Sequence, residues 1–259
     1  MPRVLRSFLL IINYKTLIIT VLALVSTYIC YHNDMIAKFP DMLVGVAIVF
    51  PVVFSIGSAY NRREVALQRF SDFKGHAVAL YYATRDWPAD KNNDLPVRIR
   101  ETIHELLILI RTMFVNSKRK DWEQNEKDIY DHFSKLSILT QELRNYGCQS
   151  TEVSRVSQYV SKMIIAFDNL KIIQVYRTPI TLRAYSKVFI YIFPIIYGPY
   201  FASTFKDYSY YMLGYVMPIL YSFILVSLDN IQDHLENPFD DVGEDDIRIE
   251  EREIIALMK

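Results

Sequence analysis

Two cysteines in 259 residues leave no zinc-type cluster. Cys30 sits in an apolar run and Cys148 far away in a polar one, so no structural disulfide is expected. Glycine is also scarce, seven in all, and none gathers into a loop able to cradle a phosphate. Neither sign of charge is in excess: 29 Lys+Arg offset 29 Asp+Glu, so net charge gives no argument for nucleic acid. There is no internal repeat, no low-complexity tract and no Ser/His/Asp or Cys/His arrangement. His32, His76, His104, His132 and His234 are scattered without ligand spacing and read as solvated or locally bonded side chains. No enzyme activity and no cofactor are expected from such a chain.

What the chain does have is long hydrophobic runs, with 51% hydrophobic and 14% aromatic residues. The run that organises the rest is Asp41 to Arg63, in which Met42 to Ala59 carries no charged side chain. A helix needs ~17–25 apolar residues to cross ~30 Å of hydrocarbon. Val46, Phe50 and Phe54 recur four apart and so stack along one helical face. Pro51 interrupts the backbone ladder, while Gly45, Gly57 and Ser58 let another backbone come close. The reading is a helix that lines a pore, contributed once by each subunit of a ring.

Upstream, Met1 to Lys15 is short, basic and amphipathic, suited to the membrane surface. Thr16 to Tyr31 is the first span; no small-residue cleavage site follows it, so it reads as a retained helix. Beyond Arg63 the pattern becomes that of amphipathic helices: Glu64 to Leu80, Val97 to Asn116, Trp122 to Arg144 and Glu152 to Tyr176. A loop with Pro88 and Pro96 separates the first two, and Gly147 ends the third. Arg177-Thr178-Pro179 begins a return to the membrane, with spans expected at Ala184–Phe205 and Met212–Leu228. The fold class is all-α: four transmembrane helices and a helical cytosolic bundle. The divisions are 1–63 (surface helix and spans one and two), 64–176 (cytosolic helices), 177–228 (spans three and four) and 229–259 (acidic C-terminal segment).

Arg3, Arg6, Lys15, Arg62, Arg63, Lys171, Arg177, Arg183 and Lys187 fall on one side of the spans, and only Lys38 and Lys206 on the other. The positive-inside rule then puts both termini and the helical block in the cytosol.

The Val46, Phe50, Phe54 row has two readings. Such a face can pack against lipid or a neighbouring helix. It can also form a hydrophobic constriction that gates conduction by dewetting, with phenylalanine edges offering partial positive charge to an anion. No charged residue lies within that span, which excludes a charged selectivity ring there. The acidic group Glu236, Asp240, Asp241, Glu244, Asp245 and Asp246 lacks the spacing of an EF-hand loop and reads first as a solvated turn.

In this order the pieces resemble the bestrophins, and more closely their bacterial homologues, along nearly the whole chain. The Val46, Phe50, Phe54 ladder resembles the family's pore neck. Ser58-Ala59-Tyr60-Asn61-Arg62 is similar to its Asn-Ala-Ser-Tyr-Asp-Arg-type segment. Arg177-Thr178-Pro179-Ile180 looks like the Thr-Pro-Leu-Pro re-entry of bacterial members. Leu235-Glu236-Asn237-Pro238-Phe239 resembles the Asn-Pro-Phe or Asp-Pro-Phe segment after the fourth span, the most specific of the four matches. Tyr60, Arg62, Thr178, Pro179, Asn237, Pro238 and Phe239 are the residues that carry these motifs. The chain departs from the family where Arg63 and Glu64 replace the usual tryptophan pair. It departs again where Asp240-Asp241-Val242-Gly243 interrupts the acidic run of the animal calcium clasp, leaving Asp245 and Asp246 as the residual calcium candidates.

The resemblance implies a homopentameric ion channel in the membrane, in a bacterium the inner membrane, passing small monovalent ions. Chloride and other anions are the first expectation, and a sodium-type cation channel of the same architecture the alternative. It also implies a second, cytosolic aperture on the helix before re-entry, near Thr151 or Val153 by counting back from Pro179. A non-conducting membrane scaffold that binds a partner through its cytosolic helices is the reading from another class.

Overall fold

A computed structural model describes residues 13–38, 41–116, 121–176, 179–207, 211–241 and 246–259, with the side chains of 41–49, 116, 206–207 and 211–213 outside the description. Among the described residues there are nine α-helices and no strand. They are α1 Tyr14–His32, α2 Asp41–Asp86, α3 Leu95–Arg111, α4 Trp122–Glu142, α5 Ser150–Val175, α6 Ile180–Ile196, α7 Gly198–Asp207, α8 Tyr211–Glu236 and α9 Glu251–Ala256. The chain divides into two units: residues up to Arg62 with Arg177–Glu236, and Arg63–Tyr176 with Asn237–Lys259.

The first unit is inverted relative to a soluble core. Its α1 starts at Asn13, whose side-chain oxygen accepts from the Lys15 and Thr16 backbone N–H groups at 2.9 and 3.3 Å, which caps two otherwise orphan donors. The helix buries Thr16, Ile19, Ala23, Thr27 and Cys30, a face of mostly small side chains, against α6, α7 and α8. Its outer face is the greasier one, with Leu17, Ile18, Val21, Leu22, Val25 and Ile29 exposed. Small residues inside and large apolar ones outside are the pattern of helices packed in lipid, where backbones approach closely and the outer face meets acyl chains. At Gly198 an added Cβ would lie 2.3 Å from Ser26 Oγ, and Ser26 donates to the Ile195 carbonyl at 2.7 Å. Glycine therefore permits the contact that seats the α6–α7 junction on α1.

Among the described residues, three helices are long and apolar enough to cross a membrane: Tyr14–His32, Ile180–Phe205 and Gly214–Glu236. The expected second span is helical throughout, as the first half of α2, and Pro51 is accommodated inside it. Two boundaries differ from the sequence reading. The third span breaks at Tyr197, just after Pro194 has removed a backbone donor, and continues as α7. The helix α8 runs on past Leu228, the expected end of the fourth span, to Glu236, and the charged residues of its last two turns find partners on α6.

The second unit has a conventional soluble core. The stripe Leu95, Ile99, Ile103, Leu106, Leu107 and Ile110 on α3 is 0–1% exposed, the outcome of helical-period apolar residues. The core is aromatic at its centre: the Phe133 ring lies 6.5 Å from Phe73 and 5.9 Å from Phe167, edge-on or tilted. Ile247, Ile249, Ile254 and Met258, after the acidic stretch, are buried in the same core. Phe133→Ala is expected to cost about 3–5 kcal/mol by opening a cavity among rings that cannot collapse, read as a lower thermal midpoint of the purified protein.

Candidate pore-lining residues and the buried charge ladder

On α2, Val52, Ser55 and Ala59 are 0–1% exposed, and the Pro51 carbonyl accepts from Ser186 Oγ at 3.4 Å. That buried face fixes which side of the helix turns outward. Phe50 and Phe54 are on the outward side, 60% and 57% exposed, together with Val53 and Tyr60. The two phenylalanine rings stack in sequence, centroids 4.9 Å apart and tilted by 57°. The Val46 side chain lies outside the described residues. A single chain thus presents two adjacent rings that nothing described in its own unit covers.

The same unit holds a ladder of polar rungs between α6 and α8. Arg183, Lys187 and Tyr191 recur four apart on α6, while Glu236, Asp233 and Asp229 recur three to four apart on α8. Running antiparallel, they meet in register. Arg183 bonds Glu236 at 2.7 Å; Lys187 bonds both oxygens of Asp233 at 2.9 and 3.1 Å; the Tyr191 hydroxyl donates to Asp229. Asp229 is fully buried, and its nearest cation is the Lys187 ammonium at 3.9 Å. Lys15 of α1 faces Asp233 at 3.5 Å, and Asn13 donates to Asn230 at 2.8 Å, which ties α1 to the ladder. Carboxylates as deep as Glu236 and Asp229 are costly without cations and donors opposite them, and Asp229 Oδ1 has no hydrogen-bond partner, only the Lys187 ammonium nearby. In the sequence these residues look like separate span-end charges; matching four-residue periods of opposite sign on two helices were the available signal.

No family model and no curated protein matches the sequence. Solved structures do match. A bacterial bestrophin homologue from Klebsiella pneumoniae, in a single-site variant, superposes with a TM-score of 0.78 over 95% of this chain and 96% of that one, at 14% identity. The structure of that homologue phased with zinc gives 0.76 over 95% and 97%, also at 14%. A further one, described as a membrane protein variant, gives 0.78 over 95% and 96% at 14%. The fold is that of the bacterial bestrophin homologues. With its apolar helices, this bestrophin-like chain is an integral membrane protein.

Within the bestrophin-like fold, the motif residues do different things. Tyr60 is exposed and Arg62 half-buried. Thr178 lies outside the described residues, while Pro179 sits at the start of α6 with φ −49° and ψ 125°. Asn237 accepts from Gln174 at 3.1 Å and donates to Asp240 at 2.8 Å; the Pro238 carbonyl accepts from the Ile247 N–H at 2.7 Å. Phe239 is fully buried, its ring 5.1 Å from Phe114. Asn-Pro-Phe is therefore a clamp that turns the chain and seats its last stretch in the core of the second unit. Among the described residues no group of three or more His, Cys, Asp or Glu gathers at metal-binding distance. Asp245 lies outside them, Asp246 is half-buried, and Arg111 faces Asp241 at 3.2 Å and Glu251 at 3.6 Å.

The two residues expected near the cytosolic aperture point opposite ways. Thr151 is exposed, but Val153 is 1% exposed and packs in the core, because it falls on the same stripe as Val156, Val160 and Met163. The outward apolar residues of α5 are Ile165, Ile172 and Val175. Counting back from Pro179 gives a sequence distance, whereas a helical face decides which side chain is free. Cys148 has a thiol pushed up to about 11 by burial and by the neighbouring Glu152 carboxylate, which keeps it protonated and unreactive near neutrality.

Proposed function

We propose that the protein is the subunit of an ion channel in which copies of the chain surround an axis and α2 lines the narrow neck. The observation that carries this is the outward, adjacent pair Phe50 and Phe54 on α2, in a fold shared with the bestrophin homologues. Rings of such side chains leave a passage that water wets poorly, so ions cross only when it widens or hydrates. Their ring edges carry partial positive charge, which favours anions without the desolvation cost of a buried lysine. Chloride and similar anions are therefore the proposed cargo, five copies the proposed ring and the inner membrane the proposed site, with both termini in the cytosol. A monovalent-cation channel of the same build is the alternative.

Reconstitution into liposomes tests the reading. Ion flux from the purified protein alone is expected, with a reversal potential under asymmetric potassium chloride at the chloride side of zero. Reversal at the potassium side would assign the cation alternative. No flux from a well-folded assembly would reject the channel and leave the scaffold reading.

We assign the second constriction to Ile165 in place of Val153. Its β-branched side chain is the most exposed of the three outward apolar residues of α5, at 60% against 52% for Ile172 and 53% for Val175, and can narrow a passage, which a core residue cannot. Ile165→Ala is expected to change relative permeability among anions of different size, measured as a shift in bi-ionic reversal potential, and Val153→Ala to lower stability without that shift.

A further inference from the structure

We propose that the cavity between α1 and α6 binds the phosphate of an anionic phospholipid. The cavity has a volume of about 330 Å³ and is lined by Lys15, Ile18 and Ile19 of α1 and by Lys187 and Tyr191 of α6. That is the low end of the range for ligand sites and is room for a headgroup, not a whole lipid. Among the described residues, the only charged side chains on its wall are the two ammonium groups. The carboxylates that balance them are Asp229, fully buried under the Tyr191 hydroxyl, and Asp233, one-third exposed and held by both oxygens on Lys187. Lys15 differs from Lys187. Its one ion pair among the described residues is with Asp233 at 3.5 Å, so its ammonium has room for a further acceptor. A phosphodiester oxygen supplies that acceptor and the negative charge.

The apolar walls decide between a lipid and a soluble anion. Next to the two ammonium groups the lining is isoleucine side chain and tyrosine ring. Along the membrane direction, α1 continues outward-facing with Leu22, Val25 and Ile29, and α6 with Val188, Ile192 and Ile196. A basic mouth opening onto two apolar rows matches the two ends of one amphiphile, phosphate at the lysines and acyl chain along the rows. Inorganic phosphate would use only the first.

Native mass spectrometry of the purified assembly, titrated with dioleoyl phosphatidylglycerol or dioleoyl phosphatidylcholine, tests this. Because it reads binding and not conduction, it stands apart from the channel proposal. Phosphatidylglycerol is expected to be retained in clear preference, and Lys15→Gln to weaken it about fivefold, the order expected of one lysine at a membrane surface. Lys15→Arg keeps the charge and is expected to keep the lipid; Ile18→Asn leaves the charge and is expected to weaken it. Equal retention of the two lipids, or unchanged phosphatidylglycerol binding in Lys15→Gln, overturns the proposal. Displacement of the lipid by millimolar inorganic phosphate also overturns it, by making the site one for a free anion. Should Lys15→Gln fail to fold, the preference between the two lipids in the unaltered protein decides alone.

Discussion

Replacing Val46, Phe50 and Phe54 together by alanine is expected to raise ion flux through the reconstituted protein about tenfold or more, each factor of ten being about 1.4 kcal/mol of barrier. In the proposed channel the barrier is the cost of keeping ions and water in a narrow apolar collar, and three methyl-sized side chains per subunit would remove most of it. The variant is informative because the fold of one chain does not depend on these rings: Phe50 and Phe54 are more than half exposed, and the buried face of α2 is made by Val52, Ser55 and Ala59. Truncating Phe50 and Phe54 should therefore leave the thermal midpoint of the protomer nearly unchanged, within the ~0.5 kcal/mol usual for surface substitutions. Flux equal to that of the unaltered protein, from an assembly of unchanged size, would remove the neck from the account.

The second large effect is on folding. Lys187→Ala should destabilise the protein by about 3–5 kcal/mol, because it strips the nearest cation from a carboxylate with no exposed surface. Part of that cost belongs to Asp229, whose one hydrogen bond comes from the Tyr191 hydroxyl, and part to Asp233, which loses both Lys187 hydrogen bonds but is one-third exposed and still faces Lys15. Adding Asp229→Asn to Lys187→Ala should recover much of the loss, since a neutral amide at that depth needs hydrogen bonds but no counter-charge. The comparison is a double-mutant cycle on thermal midpoints in one detergent. Additive losses would mean that the two residues do not share an energy term, and that the ladder is only a geometric coincidence.

The two units differ in how far their side chains could be read before the structure was known. In the second unit the apolar period of α3 and α4 names the core outright: Ile99, Ile103, Leu106, Ile110, Ile129, Phe133 and Leu136 are all buried. The far side of each helix there is mostly polar or charged, so hydrophobicity and burial follow the same pattern. In the first unit that equivalence fails. Leu17, Leu22 and Val25 are as apolar as any core residue and face outward, while Thr16, Thr27 and Ser186 are buried. When the surroundings are hydrocarbon, size and hydrogen-bonding needs decide which face turns inward, and hydropathy is silent.

Composition and periodicity alone determined that the chain is helical, that parts of it are apolar enough for a membrane, and that Phe50 and Phe54 share a face. These are local properties, set by runs of side chains and by the 3.6-residue turn. Only the tertiary structure decided that this face points away from the chain's own unit, that Val153 is a core residue and Ile165 a free one, and that charges 46 and 53 residues apart close into rungs. Those outcomes depend on which helix packs against which, and a charge in the sequence carries no mark of the partner that will make its burial tolerable.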